Sequence, residues 1–398
     1  MKSATHEQPR LERNIVMLGL VSAFTDIAGE MIVPVLPIFL ATAIGAPMAA
    51  IGLIEGLAES TASILRLFAG WLSDRTGRRK PIIILGYSLG NGAKPLLALA
   101  TTWPQVLLIR FADRFGKGIR GAPRDALIAD SAPDAHRGRA FGIHRSLETA
   151  GAAVGPLVAA LILALGDQDP RLVFWAASVP GVLAVMILIG GVAERSGPVR
   201  DTIAPRLGFR HLGRPFTLLT IVATMFALGN SSDAFIILRT QDLGVPVPLI
   251  PIAYFGFNLV ATLLSTPAGI LSDRLSRRGI LAAGYALFAL VYLGFALASG
   301  PWTAVALFAL YGGYYALTEG VARALVVDLV PSSLRATAMG TFATATGVAL
   351  LPASLLAGAL WQFAGAWAPF VYGAALAALA SVLLLAIPLP TAPSSDSK

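Results

Sequence analysis

The chain has 398 residues, of which 56% are hydrophobic and only 13% are charged. A water-soluble globular protein has about twice that share of charged residues, so the composition excludes a soluble fold and predicts that a lipid bilayer surrounds much of the surface. The absence of cysteine excludes disulfides, thiolate metal sites and cysteine nucleophiles.

The net charge of +8 has two readings. It is compatible with nucleic acid, but in a membrane protein it indicates basic loops on the cytoplasmic side, and no nucleic-acid partner is expected. The four histidines are scattered without the spacing of helical metal ligands, so no metal site and no cofactor are predicted. The N-terminus is polar and lacks the apolar core of a signal peptide.

Apolar stretches long enough to cross a bilayer as helices occur twelve times along the chain. They do not alternate as barrel strands do, so the predicted fold class is an all-α integral membrane protein with twelve transmembrane helices. The predicted spans are 14–41, 48–72, 81–101, 103–123, 140–165, 172–192, 215–238, 247–271, 279–299, 301–322, 335–361 and 366–388.

Basic residues concentrate in every second connection between these spans. If the N-terminus is cytoplasmic, the opposite loops hold little beyond Arg171 and Arg239. This asymmetry predicts that both termini lie in the cytoplasm. The predicted location is a bacterial-type cytoplasmic (inner) membrane, which the chain crosses many times.

The chain repeats itself. "GWLSDRTGRRK" (70–80) recurs as "GILSDRLSRRG" (269–279), and "ALIADSAPDAHRGRAFG" (126–142) matches "ALVVDLVPSSLRATAMG" (324–340). Two motifs that recur at nearly the same distance, half the chain length, predict two homologous six-helix bundles. The predicted parts are an N-terminal bundle at 1–192, a cytoplasmic linker at 193–214 and a C-terminal bundle at 215–398.

These features resemble the major facilitator superfamily, whose members consist of paired six-helix halves. "GWLSDRTGRRK" is similar to that family's signature between its second and third helices, Gly-x-x-x-Asp-Arg-x-Gly-Arg-Arg-Lys. In the fifth span, Gly142, Gly151, Gly155 and Pro156 have the spacing of a signature found in its antiporters, although alanines replace the closing glycine pair. The resemblance implies a transporter for small molecules, not an enzyme, that works as a monomer.

The repeated loop motif is predicted to form a cytoplasmic gate. Gly70 allows close helix approach and Gly77 allows a tight turn, while Asp74 can cap a helix or pair with an arginine. Charge pairs there would form when this side closes and break when it opens; the alternative is that the charges only set topology. The predicted gate consists of Gly70, Asp74, Arg75, Gly77, Arg78, Arg79, Asp130, Asp273, Arg274, Arg277 and Asp328.

Ionisable residues inside spans are costly and by default mark a pathway. Asp26 lies mid-depth in the first span, with Glu30 one turn later on the same face. By the resemblance, the first, fourth, seventh and tenth spans line a central cavity, so Asp26 and Asp113 would face the path and exchange protons with it. The candidates for proton coupling or cavity lining are Asp26, Glu30, Glu59, Lys94, Asp113, Arg114, Glu148 and Asp233.

Some of these charges have a structural alternative. Glu148 with Arg145, and Asp113 with Lys117, are one helical turn apart and could be structural pairs. Asp26 has no basic partner in its own span, which favours function. In the fourth span, the position at which the family usually has an arginine is an alanine, with Arg110, Asp113 and Arg114 around it.

Polar and aromatic residues of the C-terminal half can likewise have a functional or a structural role. Asp233 follows the polar run 230–232, a break in the seventh span that suits ligand contact. Tyr311, Tyr314 and Tyr315 are predicted to pack rather than to cage a ligand.

The predicted function is secondary active transport of a small polar or amphiphilic solute by alternating access, coupled to protons and in the direction of export. The sequence has no Gly-x-x-x-x-Gly-Lys-Ser/Thr loop, so ATP is not the expected driving force. Alternatives left open are proton-coupled uptake of a charged solute or metal chelate, a lipid flippase, and a transporter-like receptor.

Overall fold

The computed structural model describes residues 13–76, 78–133, 136–194, 212–331 and 334–387, apart from the side chains of Leu67, Asp74 and Ala336. In this part of the chain all regular structure is helical, and the predicted fold class is confirmed. The N-terminal bundle contains α1 (Arg13–Ile32), α2 (Met48–Thr76), α3 (Lys80–Leu99), α4 (Trp103–Asp130), α5 (Arg137–Leu165) and α6 (Pro170–Gly191). The C-terminal bundle contains α7a (Arg214–Gly229), α7b (Ala234–Asp242), α8 (Ile250–Arg274), α9 (Arg277–Leu297), α10 (Pro301–Asp328), α11 (Arg335–Ala364) and α12 (Ala368–Ala386).

Within the described residues, ten helical segments are long and apolar enough to cross a membrane. The other two predicted spans correspond to α4 and α10, which occupy equivalent positions in the two halves. Each has 28 residues and is about 42 Å long at 1.5 Å per residue, enough for a hydrocarbon core of about 30 Å. α4 buries Arg110, Arg114 and Arg120, and α10 buries Tyr311, Tyr314 and Thr318, inside the protein rather than against lipid.

Two predicted spans are interrupted. α1 is followed by a short helix, Leu36–Ile38, and a π-helical turn, Phe39–Ala43. Pro34 and Pro37 lack the backbone donors that one continuous helix would need. Residues 230–233 separate α7a from α7b, at the predicted polar break.

α4 and α10 are also longer than their predicted spans. They end at Asp130 and Asp328, which the sequence placed in the loops after the spans. Gly77 and linker residues 195–211 lie outside the described residues.

Connections fall on two sides of the molecule because successive helices run in opposite directions. We call the side that holds Ala193, Leu212 and the ends of α2 and α4 the linker side, and the opposite side the far side. On the linker side, Asn14 donates hydrogen bonds to the Ala193 carbonyl (3.0 Å) and to Ser131 (3.2 Å). These bonds fix the beginning of α1 against the ends of α4 and α6.

The two halves are packed together on the far side. Leu36 and Phe39 of the N-terminal half share one apolar cluster with Ala234 and Leu238 of α7b. Trp361 of α11 packs against the same cluster. The far side is therefore closed between the halves by apolar side chains.

A seam between α2 and α11 continues this contact toward the middle of the molecule. The Ala49 amide donates to Gln362 (3.3 Å), and the Ser60 hydroxyl donates to the Gly347 carbonyl (2.8 Å). The two helices belong to different halves, so these contacts hold the halves together between the far side and the middle of the molecule.

Candidate functional site

A cavity of about 900 Å³ lies between the two halves toward the linker side. We call it the wide cavity. Helices α1 to α5 line one wall, and α8 and α10 line the other, with Phe255 and Asn258 on α8 and Arg323 on α10. Because the far side is closed, this cavity opens toward the linker side.

Two smaller cavities lie deeper. The central cavity, about 280 Å³, is lined by both halves, including Glu59 of α2 and residues 230–234 at the break of α7. The inner cavity, about 60 Å³, lies inside the N-terminal bundle between α1, α3 and α4. Glu30 and Lys117 line all three cavities, so the cavities adjoin at these two side chains.

Two arginines of α4 are held by buried ion pairs. One terminal nitrogen of Arg110 lies 3.0 Å from both carboxylate oxygens of Glu55, and the other lies 3.3 Å from Asp113. Arg114 lies 3.2 Å from Glu59 and 3.8 Å from Asp113. Asp113 thus contacts the arginines on either side of it in the helix, whereas the sequence offered Lys117 as its structural partner.

A second group of charges lies near the linker side. Arg124 of α4 contacts Asp125 (2.8 Å) and Glu148 of α5 (3.1 Å). Arg145 lies 2.8 Å from the other oxygen of Glu148, so the predicted helical pair is present. Glu148 is therefore compensated by two arginines.

Two cations between these groups have no acidic partner among the described residues. Lys117 makes no hydrogen bond or ion pair there and faces all three cavities. The guanidinium of Arg120 lies 4.4 Å from the ring centroid of Tyr87 and lines the inner and wide cavities. The sequence named neither residue as a site candidate.

Two acids of α1 face the same space. Asp26 lines the inner and wide cavities and has no hydrogen-bond or ion-pair partner in the described part of the chain. Glu30, one turn further, has a buried carboxylate oxygen, Oε2, without a hydrogen-bond partner. Both sequence candidates therefore lie in the cavities with unsatisfied polar atoms.

Lys94 and Asp113 lie deeper in the N-terminal bundle. Lys94 donates to the Asn91 side chain (2.7 Å) and to the Thr25 carbonyl (3.2 Å). Of the three cavities, Lys94 and Asp113 line only the inner one. Asp26 thus reaches the space between the halves, and Asp113 does not.

Asp233 is an acid of the C-terminal half that lies at the break between α7a and α7b. It accepts hydrogen bonds from Tyr311 (2.9 Å) and Tyr315 (3.4 Å) of α10 and lines the central cavity. The sequence favoured packing over a ligand cage for these tyrosines, and the structure adds their hydrogen bonds to Asp233. Tyr311 is also part of an aromatic stack with Phe257, at a centroid distance of 5.4 Å.

The predicted gate residues lie on the linker side. Arg79 Nε lies 2.9 Å from Asp130, and Arg277 lies 2.7 Å from Asp328 and 2.8 Å from Asp273. Each pair lies within one half of the molecule. Gly70 lies in α2, where an added Cβ would be 3.3 Å from Ala122 of α4, so the two helices are close there.

The remaining gate residues differ in how they are placed. Arg75 packs over the Trp71 ring at 5.4 Å, Arg78 is exposed, and Arg274 is the last residue of α8. The side chain of Asp74 and all of Gly77 lie outside the described residues.

The predicted packing motif of α5 lies against α1. A Cβ added at Gly151 would lie 2.3 Å from the Ala23 carbonyl oxygen, and one at Gly155 would lie 2.7 Å from that of Ile27. Backbones approach this closely only where side chains are absent. Pro156 lies inside the helix beside this contact, whereas Gly142 has open space around it.

Comparisons with known proteins agree with this fold. The sequence profile described as Major Facilitator Superfamily matches residues 18–238 and 217–398. An "Uncharacterized MFS-type transporter" of Methanocaldococcus jannaschii is 38% identical over 383 residues, 95% of each chain. The "Multidrug resistance protein MdtG" of Serratia proteamaculans is 28% identical over 309 residues, 73% of each chain.

Solved structures give the same result for the fold. A bacterial homolog of the human lysosomal transporter Spinster, in an inward-facing and unoccupied conformation, has a TM-score of 0.71 at 19% identity and covers 95% of each chain. The two profile matches and the 38% relative show that the chain belongs to the Major Facilitator Superfamily. It is a multi-pass membrane transporter of small molecules and not an enzyme.

Proposed function

We propose that the chain exports a small polar or amphiphilic solute by alternating access, in exchange for protons. The observation that carries the proposal is the wide cavity, which is open on one side and is lined by the carboxylates of Asp26 and Glu30, neither of which forms an ion pair with a described residue. A carboxylate partly removed from water can exchange a proton with the path and so link protonation to solute binding. Asp233, bound by two tyrosines, is a further candidate for solute contact.

The linker side is proposed to face the cytoplasm of a bacterial-type inner membrane, with both termini inside. The support is the excess of Lys and Arg in the connections on that side. In this orientation the cavity faces inward, where a solute for export would enter. We propose a monomer as the working unit.

Export is proposed on two grounds. The fifth span resembles a signature found in antiporters, and Gly151 and Gly155 of that signature pack closely against α1. One relative at 28% identity is named a multidrug resistance protein. Neither ground specifies the solute.

Proton-coupled uptake of a charged solute is the second candidate. Lys117 and Arg120, without acidic partners, face the same cavity as Asp26 and Glu30. A negatively charged solute would bind there more readily when the acids are protonated, which would make proton and solute move together.

The sequence suggested charge pairs that form when the linker side closes. Here both pairs are present within single halves while the cavity opens on that side, and a supporting role is proposed for them instead. Arg79–Asp130 and Arg277–Asp328 each tie a loop to its own bundle, so a rocking motion that leaves the bundles rigid would not break them. Their proposed role is to keep the conformation of each loop fixed while the halves move against each other.

The test is solute-driven proton movement in proteoliposomes that contain a pH-sensitive dye. The panel contains organic acids, organic cations and uncharged amphiphiles, and the variants are Asp26→Asn and Glu30→Gln. Asp167→Asn is the matched control, because Asp167 is exposed on the far side with a positive φ of 52° that asparagine tolerates.

We expect a solute-dependent pH change in the wild type and in Asp167→Asn that is lost in at least one of the other variants. Protons moving against the solute would support export, and protons moving with it would support uptake. Transport of a solute without any pH change would contradict proton coupling.

A further inference from the structure

Five cations of α4 form a row that we call the basic ladder. Successive members are three or four residues apart, so their side chains lie on one face of the helix. The ladder consists of Arg110, Arg114, Lys117, Arg120 and Arg124.

The members of the ladder differ in how they are compensated. The first two members, Arg110 and Arg114, contact acidic residues, and so does the last, Arg124. Their partners are Glu55, Glu59 and Asp113 for the first two and Asp125 and Glu148 for the last. The middle two have no carboxylate within ion-pair distance among the described residues. The three cavities adjoin next to this uncompensated middle section.

Other charged residues on the walls of the wide cavity do not neutralise Lys117 and Arg120. Arg145 is paired with Glu148, and Arg323 lies 2.6 Å from Glu319 on the opposite wall. Arg66 of α2 adds a further cation to the lining. The remaining acids of the lining are Asp26 and Glu30 of α1, which form no ion pair with the ladder among the described residues.

Cations turned into a cavity walled by protein are stable when a counter-charge occupies the cavity. A guanidinium matches the planar, two-oxygen edge of a carboxylate or phosphate, and an ammonium one turn away supplies a second charge-assisted bond. The chain thus presents both donor types on one face, without an acid of its own between them.

We propose that Lys117 and Arg120 form a subsite for the acidic group, carboxylate or phosphate, of the transported solute. This inference rests on the proposed transport function, and the coupling it implies agrees with the second candidate, in which protons and a negatively charged solute move together. Asp26 and Glu30 face the subsite and repel an anion when they are ionised. Loss of either negative charge therefore strengthens anion binding. This links binding of the solute to protonation of the Asp26 and Glu30 carboxylates.

The first experiment uses pyridoxal 5′-phosphate as an anionic probe of the purified full chain. The unprotonated amine of a lysine adds to the aldehyde carbon and water leaves; borohydride then delivers hydride to the imine carbon, and the nitrogen takes up a proton. The uncharged comparison is 5-deoxypyridoxal, which carries the same aldehyde without the phosphate. Peptide mass spectrometry measures labelling at Lys117 relative to Lys80, whose amine donates to the Ile189 carbonyl near the linker side.

We expect the phosphorylated probe to label Lys117 about tenfold faster than the uncharged one after normalisation to Lys80, the size of one charge-assisted hydrogen bond. Arg120→Gln should remove most of this preference. Asp26→Asn and Glu30→Gln should increase it. Arg139→Gln, which removes a cation from the exposed beginning of α5, is the matched control and should leave it unchanged.

An equal rate for the two probes, an unlabelled Lys117, or a preference that survives in Arg120→Gln would each overturn the subsite. Preference for the probe together with protection by inorganic phosphate alone would define a free-phosphate site, and protection only by organic acids would define a solute site. A confirmed subsite without transport in proteoliposomes would leave the inference standing and contradict the proposed function. Transport without probe preference would contradict the inference alone.

Discussion

The two halves share one fold, but their equivalent helices α4 and α10 have different chemistry. At the 198-residue offset that aligns the helix ends, Asp113 and Lys117 of α4 correspond to Tyr311 and Tyr315 of α10. The N-terminal half buries ion pairs such as Arg110–Glu55 beside its apolar clusters. The C-terminal half has stacked rings in its interior, such as Phe226 on Tyr285 at a centroid distance of 3.9 Å.

The difference separates two roles within a duplicated fold. Stacked aromatic residues give a dense, apolar support whose energy depends little on charge state. Ion pairs can exchange partners when a proton or a charged solute enters. We infer that the N-terminal half carries the proposed coupling chemistry and that the C-terminal half supplies a stable aromatic wall, with Asp233 at the break of α7.

The largest expected effect comes from breaking the most buried ion pair of the N-terminal half. Arg110→Met leaves Glu55 without its cation, and both side chains are less than 10% exposed. We expect a loss of about 3–5 kcal/mol in the free energy of unfolding in detergent, because an unpaired charge remains buried.

The matched control for that change is Arg323→Met in the C-terminal half. Arg323 and Glu319 are both more than half exposed, so this change should cost at most about 1 kcal/mol. Equal losses for the two variants would contradict the view that only the N-terminal half depends on buried charge.

A smaller effect is expected at the acid of the C-terminal half. Tyr311→Phe removes the 2.9 Å hydrogen bond to Asp233 but keeps the aromatic stack. We expect a loss of about 1–3 kcal/mol, measured by the same unfolding assay. Tyr372→Phe is the control, since Tyr372 donates no hydrogen bond to a described residue, and it should leave the free energy of unfolding unchanged. An unchanged free energy of unfolding for Tyr311→Phe would show that Asp233 is held by other groups.

The smallest effect is expected at the linker-side pair of the C-terminal half. Arg277 and Asp328 are partly exposed, so Arg277→Gln should cost at most about 1 kcal/mol. The linker-side pair of the N-terminal half, Arg79–Asp130, is more buried, and Arg79→Gln should cost more. Unfolding measured at low and high salt checks this, because salt screens the exposed pair more strongly. The reverse order would contradict the difference in burial.

Much of the fold was predictable because it depends on short-range patterns. Twelve apolar stretches and two repeated motifs predicted two six-helix bundles, and the polar run 230–232 marked the break in α7. The ends of α4 and α10 were not predictable, since charges at a membrane surface are compatible with either helix or loop. Pro34 and Pro37 could have indicated the interruption after α1.

The candidate site was predictable in composition but not in arrangement. Asp26 and Glu30 were found from their position inside an apolar span, where any ionisable group is unusual. The Glu55–Arg110 pair and the uncompensated Lys117 were missed, because a pair between two helices has no fixed spacing in sequence. The three- and four-residue spacing of cations along α4 was the signal that could have revealed the ladder.

The sequence by itself determined the class of protein: its hydropathy requires helices in lipid, its repeated motifs require two equivalent halves, and the position of its basic residues predicts the orientation. Only the tertiary structure decided which charges neutralise one another and which face a cavity. Coulombic contacts depend on distances of a few ångströms between side chains on different helices. Among the described residues, packing of the helices gave three of the five similar cations along α4 acidic partners and left Lys117 and Arg120 without one.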